Sequence, residues 1–225
     1  MISPERLRRI GFWSADLRDE ELERARAGIV EKTFAKGSYI CHRGDHLDYW
    51  TGVAGGLVKL SAVSRSGKAV TLAGVRAGAW FGEGAVLKKE RRKYDLVALR
   101  DTQLAMMNLS TFFWLFENSV AFNRFLVRQF NERLGQFIAA VECDRMLDGA
   151  GRLARHIGWL FNPVLYPVDQ EMHLEITQEE LGLLSGQSRQ AANKYLKILE
   201  RRNLLRIDQN GFTVRDVERL MHFGE

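Results

Sequence analysis

Thr177-Gln178-Glu179-Glu180-Leu181-Gly182-Leu183-Leu184-Ser185-Gly186-Gln187-Ser188-Arg189-Gln190-Ala191-Ala192-Asn193-Lys194-Tyr195-Leu196-Lys197-Ile198-Leu199 is the stretch that decides the fold of the C-terminal third. Thr177 to Glu180 is a capping box, in which the Thr177 hydroxyl can accept from the third amide and Glu180 can reach back. A short helix runs to Leu184. Ser185-Gly186-Gln187 then makes a tight turn, with Gly186 able to take a positive φ. Ser188 can cap a second helix that continues to about Arg202. Leu181, Leu184, Ala191, Tyr195 (or Ala192), Ile198 and Leu199 form the apolar set, while Arg189, Gln190, Asn193, Lys194 and Lys197 face outward. The pattern predicts a helix-turn-helix, whose second helix puts its first turn into the DNA major groove. Arg can bond guanine in bidentate fashion, and Gln or Asn can do the same for adenine. Thr177, Ser188, Arg189, Gln190, Asn193, Lys194 and Lys197 are therefore the expected DNA-binding residues, against the plainer reading of solvated polar groups on an amphipathic helix.

Working outward, the charge supports this. The chain has 225 residues and a formal net charge of +5. The C-terminal part from Gly149 is neutral overall, yet Arg189 to Arg206 holds six basic residues against the single acid Glu200. Charge gathered on one element is the footprint of a nucleic-acid contact. Downstream, Leu204-Leu205-Arg206-Ile207 and Phe212-Thr213-Val214 flank Asp208-Gln209-Asn210-Gly211, a hairpin signal that reads as the wing of a winged helix. A last helix is expected from the cap Asp216. Upstream, Asp148-Gly149-Ala150-Gly151 reads as a hinge and a helix restart, followed by a helix over about Arg152 to Phe161, a loop bounded by Pro163 and Pro167, and a short strand over Met172 to Ile176.

Between Ser110 and Leu147, Gly135 is the one glycine and proline is absent. Leu126, Phe130, Leu134, Phe137 and Val141 recur at helical spacing opposite Arg124, Arg128, Glu132 and Arg133. The stripe can pack on its own domain or on a second copy of the chain, and dimerisation is predicted through Leu126, Phe130, Phe137 and Val141. Lys32 to Leu109 is different in texture, with short strand-like runs (Tyr39-Ile40, Leu57 to Leu60, Ala69 to Leu72, Leu96 to Leu99) punctuated by glycine and a hairpin turn at Ser66-Gly67. That spacing predicts a β-sandwich or barrel, preceded by a charged helix over roughly Asp16 to Ala27.

The series Gly37, Gly44-Asp45, Gly55-Gly56, Ser66-Gly67-Lys68, Gly78 and Phe81-Gly82-Glu83, ending in this helix-turn-helix, resembles the CRP/FNR transcription regulators along nearly the whole chain. The Ser188-Arg189 opening of the second helix is similar to the family's recognition helix. The resemblance implies an α+β fold: an N-terminal double-stranded β-helix or jelly-roll of the cyclic-nucleotide-binding type, a long dimerisation helix, and a C-terminal winged helix-turn-helix. The implied domains are 1–120 for effector sensing, 121–148 for dimerisation and the hinge, and 149–225 for DNA binding. It also implies a cytoplasmic homodimer on palindromic double-stranded DNA, with RNA polymerase as partner and a possible small-molecule effector. The family commonly has Glu where Gln190 stands and Arg where Lys194 stands, so a different half-site is expected. The alternative is a nucleotide-binding module that acts through protein contacts without DNA.

In family members that bind cyclic AMP, a Gly-Glu pair caps the ribose and an Arg-Ser pair holds the cyclic phosphate. Gly82-Glu83 matches the first pair. The second falls on Lys93-Tyr94, beside Arg92 and Asp95, where Tyr94 is large for a small donor. The polar pair on the long helix that touches adenine falls on Phe137-Ile138. The expected effector pocket is thus Gly82, Glu83, Arg92, Lys93, Tyr94, Phe137 and Ile138, holding a small molecule other than cyclic AMP or collapsed around Tyr94 and Phe137. The basic run Lys88 to Lys93 reads as a solvated loop or as a contact for an anionic effector, DNA or polymerase.

Composition excludes other classes. No charge-free run reaches the roughly 20 residues that span a bilayer, and the N-terminus does not read as a signal peptide. Cys41 and Cys143 are too few for an iron–sulfur cluster and form no zinc spacing. His42 and His46 near Cys41 read as a solvated loop rather than metal ligands, so no metal and no cofactor is assigned. No nucleophile–base pair supports an enzyme.

Overall fold

Short apolar runs bounded by glycine can only bury their inward side chains by pairing into sheets. In the computed structural model of the chain, which describes residues 1–63, 67, 69–166 and 172–224, they do so in two four-stranded sheets. One sheet has the order β1 (Ile29–Phe34), β8 (Thr102–Asn108), β3 (Tyr49–Gly55) and β6 (Trp80–Phe81). The other has the order β2 (Tyr39–Cys41), β7 (Asp95–Ala98), β4 (Leu57–Val63) and β5 (Ala69–Arg76). Neighbouring strands in both are antiparallel. Val53, Phe81 and Leu104 from the first sheet meet Val58, Val75 and Leu96 from the second in a buried cluster, which is how two inner faces make a sandwich core. Leu165 and Tyr166, far later in the chain, are buried in the same cluster, and the Arg76 guanidinium lies 5.8 Å from the Tyr166 ring centroid.

β2, β4, β5 and β7 lie on the strand-like runs that sequence reading picks out, whereas β1, β3, β6 and β8 lie outside those runs, although glycines bound β3 and β6. Ser66 of the expected hairpin turn and Pro167 of the expected loop lie outside the described residues.

Against the first sheet packs an aromatic layer. α1 (Pro4–Ile10) begins at the cap Ser3, whose Oγ accepts from the Arg6 amide at 3.1 Å. A 3-10 turn over Phe12–Ser14 follows, then α2 (Asp19–Ala27). This places Trp13 5.4 Å from Trp50, 5.3 Å from Trp80 and 5.4 Å from Phe122, ring centroid to centroid. Trp80 Nε1 donates to the Ile10 carbonyl at 2.7 Å. Edge-on aromatic pairs are each worth about 0.5–1.5 kcal/mol beyond the area they bury, so the N-terminal segment is locked to the sheet. After α3 (Glu83–Leu87) and α4 (Leu109–Asn118), the chain turns at buried Ser119, whose Oγ accepts from the Phe122 amide at 3.2 Å. α5 (Val120–Met146) then runs for 27 residues.

The apolar stripe of α5 divides. Phe122, Phe125 and Leu126 belong to the buried core of the N-terminal unit. Leu126 is 2% exposed, which corrects the expectation that it lies on one continuous stripe available to a partner. Val127, Phe130, Leu134, Phe137, Ile138 and Val141 are exposed. By its contacts the chain forms two compact units, residues 1–131 with 165 and 166, and residues 132–164 with those described from 172 onward.

In the second unit, α6 (Gly149–Leu160) starts at Asp148, whose Oδ1 accepts from the Gly151 amide at 2.8 Å. β9 (His173–Glu175), α7 (Gln178–Leu184), α8 (Arg189–Arg201), β10 (Leu205–Ile207), β11 (Gly211–Val214) and α9 (Val217–Met221) follow. The three strands form one antiparallel sheet in the order β10, β11, β9. Leu153, Ala154 and Ile157 of α6, Ala192, Leu196 and Leu199 of α8, and Leu220 of α9 are buried.

Candidate functional site

The cap predicted at Thr177 forms in full. Its Oγ1 accepts from the Glu180 amide at 3.2 Å, while its own amide donates to the Glu180 carboxylate at 2.8 Å. The turn between α7 and α8 has Gly186 at φ 66°, the left-handed region in which a side chain is strained. Gln187 fastens that turn to α6, its Nε2 donating to the Gly149 carbonyl at 2.8 Å. Ser188 caps α8 by accepting from the Ala191 amide at 3.2 Å. These two caps fix where the second helix begins, and with it which residues its first turn presents.

What it presents is one-sided. Arg189, Gln190, Lys194 and Lys197 are exposed and Asn193 is half-buried, while Ala192, Leu196 and Leu199 are buried on the opposite face. The apolar set differs in part from the sequence reading: Ala192, the stated alternative to Tyr195, and Leu196 carry the core contact, while Ala191, Tyr195 and Ile198 are only half-buried. Helix rotation in the packed unit decides this, because Ala, Tyr and Ile at the edge of a stripe can sit on either side of its boundary. Lys194 Nζ lies 5.7 Å from the Tyr195 ring, so part of its stem is laid along the helix.

The wing is a hairpin of β10 and β11, as the sequence suggests. Its closure is by Asp208, whose Oδ1 accepts from the Asn210 and Gly211 amides at 3.0 and 2.9 Å. His173 Nε2 lies 3.0 Å from the other carboxylate oxygen. Partial burial opposes ionisation of Asp208, but the Asn210 amide, His173 and the Gly211 amide outweigh it and hold its pKa below the usual value. Gly211 is required by close approach, since a Cβ there would come within 1.9 Å of the Leu174 carbonyl oxygen of β9.

In the β-roll, Gly82 caps α3 and Glu83 is buried. The side chains that face this corner are Arg92 and Tyr94: a Cβ on Gly82 would lie 3.6 Å from Arg92 Nη1 and 4.0 Å from the Tyr94 hydroxyl. Lys93, expected at the phosphate position, is instead exposed and paired with Glu90 at 3.0 Å. Loop contacts ahead of β7 hold Arg92, whose amide donates to the Asp45 carbonyl at 3.0 Å and whose carbonyl accepts from the Gly44 amide at 2.9 Å. Phe137 and Ile138 stand on α5, 68% and 60% exposed.

Two clefts open beside these residues. One of ≈410 Å³ is lined by Ile40, Cys41, Thr51, Arg92, Leu104 and Met106, with Gly44, Asp45, His46, Asp48, Tyr49 and Arg91 completing it. The other, of ≈430 Å³, includes Leu47, Val86, Lys89, Leu109 and Phe113. Within the basic run, Lys88, Lys89, Arg91 and Lys93 are exposed and Arg92 is buried. His42 stacks on Tyr39 with ring centroids 4.6 Å apart. Among the described residues no group of three His, Cys, Asp or Glu side chains could hold a metal, and no helix is long and apolar enough to cross a membrane.

Comparison with known proteins agrees with both halves. Residues 31–119 match the cyclic nucleotide-binding domain, and residues 151–223 match the Crp-like helix-turn-helix domain. The chain is similar to the cAMP-activated global transcriptional regulator CRP of Haemophilus influenzae, 27% identical over 170 residues that cover 75% of this chain and 76% of that one. It is similar also to the cyclic AMP receptor protein of Thermus thermophilus, 25% identical over 200 residues, covering 89% and 90%. Among solved structures, FixK2 from Bradyrhizobium japonicum shares the fold with a TM-score of 0.68 at 16% identity, covering 88% of this chain and 98% of that one. With a cyclic-nucleotide-binding β-roll at one end, a capped helix-turn-helix and wing at the other, and relatives alike across both, the chain belongs to the CRP/FNR family of DNA-binding transcription regulators.

Proposed function

We propose that the protein acts as a homodimer on a palindromic operator and that its effector is not cyclic AMP. The observation that carries the DNA reading is the exposed polar face on the first two turns of α8, set directly behind two formed caps. Arg189, Gln190, Asn193 and Lys194 read base edges there, and Thr177, Ser188 and Lys197 hold phosphates. The exposed Phe130, Leu134, Phe137 and Val141 stripe supports dimerisation. Two-fold symmetry would present two recognition helices to half-sites about one DNA turn, roughly 34 Å, apart. In this reading residues 1–120 sense, 121–148 dimerise and 149–225 bind DNA, in the cytoplasm and in contact with RNA polymerase.

The curated relatives are named for cyclic AMP, but this chain departs from the pattern that holds it. Arg92, not Lys93, faces the Gly82 corner, but the bulky Tyr94 crowds it where the family has a small donor, and Phe137-Ile138 offer no hydrogen bonds to adenine. A ligand shifts a conformational equilibrium only as far as its affinity differs between the two states. Operator affinity should therefore be independent of cyclic AMP. Calorimetry with cyclic AMP, paired with mobility shifts on genomic fragments, tests both parts. Micromolar binding that strengthens operator affinity about tenfold or more refutes the effector reading, and the absence of any salt-dependent DNA binding refutes the operator reading.

A further inference from the structure

Lys194 and Tyr195 are consecutive on α8, and residues one apart on a helix point to different faces. Even so, the Lys194 ammonium reaches back to 5.7 Å from the Tyr195 ring centroid, inside the roughly 6 Å over which a cation is drawn to an aromatic face. The lysine stem is long and flexible, so a free ammonium gives up its freedom only on meeting DNA. One already laid on a ring has given up part of it beforehand, which lowers the cost of binding. That works only if the ring itself is held. It is held by the first residue of α6. A Cβ on Gly149 would lie 2.4 Å from Cε2 and Cζ of Tyr195 and 2.5 Å from its hydroxyl oxygen. The outer edge of the ring therefore fills the place where any other residue would carry its side chain. Gly149 has no positive φ, so the glycine answers to the ring and not to the backbone. Its carbonyl accepts from Gln187 Nε2 at 2.8 Å, and Asp148 caps the same turn. Gly149 is thus tied to the turn before α8 by a hydrogen bond and to the body of α8 by Tyr195.

We infer that Tyr195 is a positioning residue for sequence reading: seated against Gly149, it holds the Lys194 ammonium ready for its base contact. Tyr195 acts through Lys194 rather than by touching DNA. The core contact of α8 is carried by Ala192, Leu196 and Leu199, while Tyr195 is half-buried, so its replacement does not empty the core. This inference rests on the reading of α8 as the recognition helix, and it adds a residue to that reading.

The experiment uses the full chain, a duplex that the wild-type protein selects from a random pool, and a scrambled duplex of the same composition. The quantity read is the ratio of the two affinities. A loss of folded protein weakens both by the same factor and leaves their ratio unchanged, so a merely structural role would not move it. Tyr195→Leu removes the ring and should lower the ratio about five- to tenfold. Tyr195→Phe keeps the ring under the ammonium and should stay within about twofold of wild type. Gly149→Ala pushes the ring off its seat and should lower the ratio as Tyr195→Leu does. In the double variant the new Cβ meets no ring, so the second substitution should add nothing. Base substitutions along the half-site should place the loss for Tyr195→Leu at the position where Lys194→Met loses discrimination. An unchanged ratio in Tyr195→Leu or Gly149→Ala, additive losses in the double variant, an equal loss with Tyr195→Phe, or a loss at another base position overturns the assignment. A wild-type chain that selects no sequence refutes the operator reading and this inference with it, whereas selection that the variants leave untouched refutes this inference alone.

Discussion

Acidification should loosen the DNA-binding unit through one residue. His156 lies on α6, which packs against α8, and its ring meets Trp159 edge-on at 4.8 Å. Burial pushes its pKa from 6.5 down to about 4; the positive charge of Arg152 adds to this and Asp144 opposes it. The folded state thus keeps the imidazole neutral while the unfolded chain takes up a proton. Stability is full above about pH 6.5, falls as the pH drops toward about 4, and levels off below that. Two and a half pH units at 1.36 kcal/mol each set the loss at about 3 kcal/mol, a large share of the 5–15 kcal/mol typical of a domain. The assay is urea unfolding of the chain and of His156→Gln between pH 7.5 and 4.5, followed at Trp159, with the ring proton of His156 titrated by NMR. The variant should lose most of the pH dependence of the second unit. A His156 that titrates near 6.5, or a variant with an unchanged pH dependence, refutes the reasoning.

Three further outcomes are expected. Arg189→Ala should cost about 1–3 kcal/mol at a single base position in mobility shifts across operator variants, whereas a uniform loss over all sequences would mark a phosphate contact instead. Phe137→Glu places a charge in the exposed stripe of α5 and should shift the protein to monomer at micromolar concentration in light scattering; an unchanged dimer would place the interface elsewhere. Gly211→Val drives a side chain into the Leu174 carbonyl and should destabilise the second unit by about 2–3 kcal/mol in thermal unfolding, with a wild-type midpoint contradicting the close packing of β9 on β11.

Local chemistry was legible wherever a residue acts on its own neighbours. The Thr177 box, the Ser188 cap, the Gly186 turn and the Asp148 restart each involve atoms three or four residues apart, so the chain alone determined them. The wing hairpin was legible too, although from Asn210-Gly211, while the bonds that close it come from Asp208. Long-range pairing was not legible. The neighbours of central strands such as β3 and β8 come from residues distant in sequence. The aromatic layer of Trp13, Trp50, Trp80 and Phe122 joins residues over a hundred positions apart, and nothing in their spacing announces it.

The same division runs through the sites. An amphipathic helix shows from its sequence which face is polar, and that was enough to name Arg189, Gln190, Asn193 and Lys194. Whether Lys93 or Arg92 turns inward depends on how the loop ahead of β7 is held. Hydrogen bonds from Gly44 and to Asp45, distant in sequence, settle it for Arg92. The stripe on α5 likewise reads as one apolar face, yet the sheet and the N-terminal helices bury its first turns and leave the rest exposed. Which part of a hydrophobic face is consumed by its own domain is decided by what packs there, and only the tertiary structure holds that.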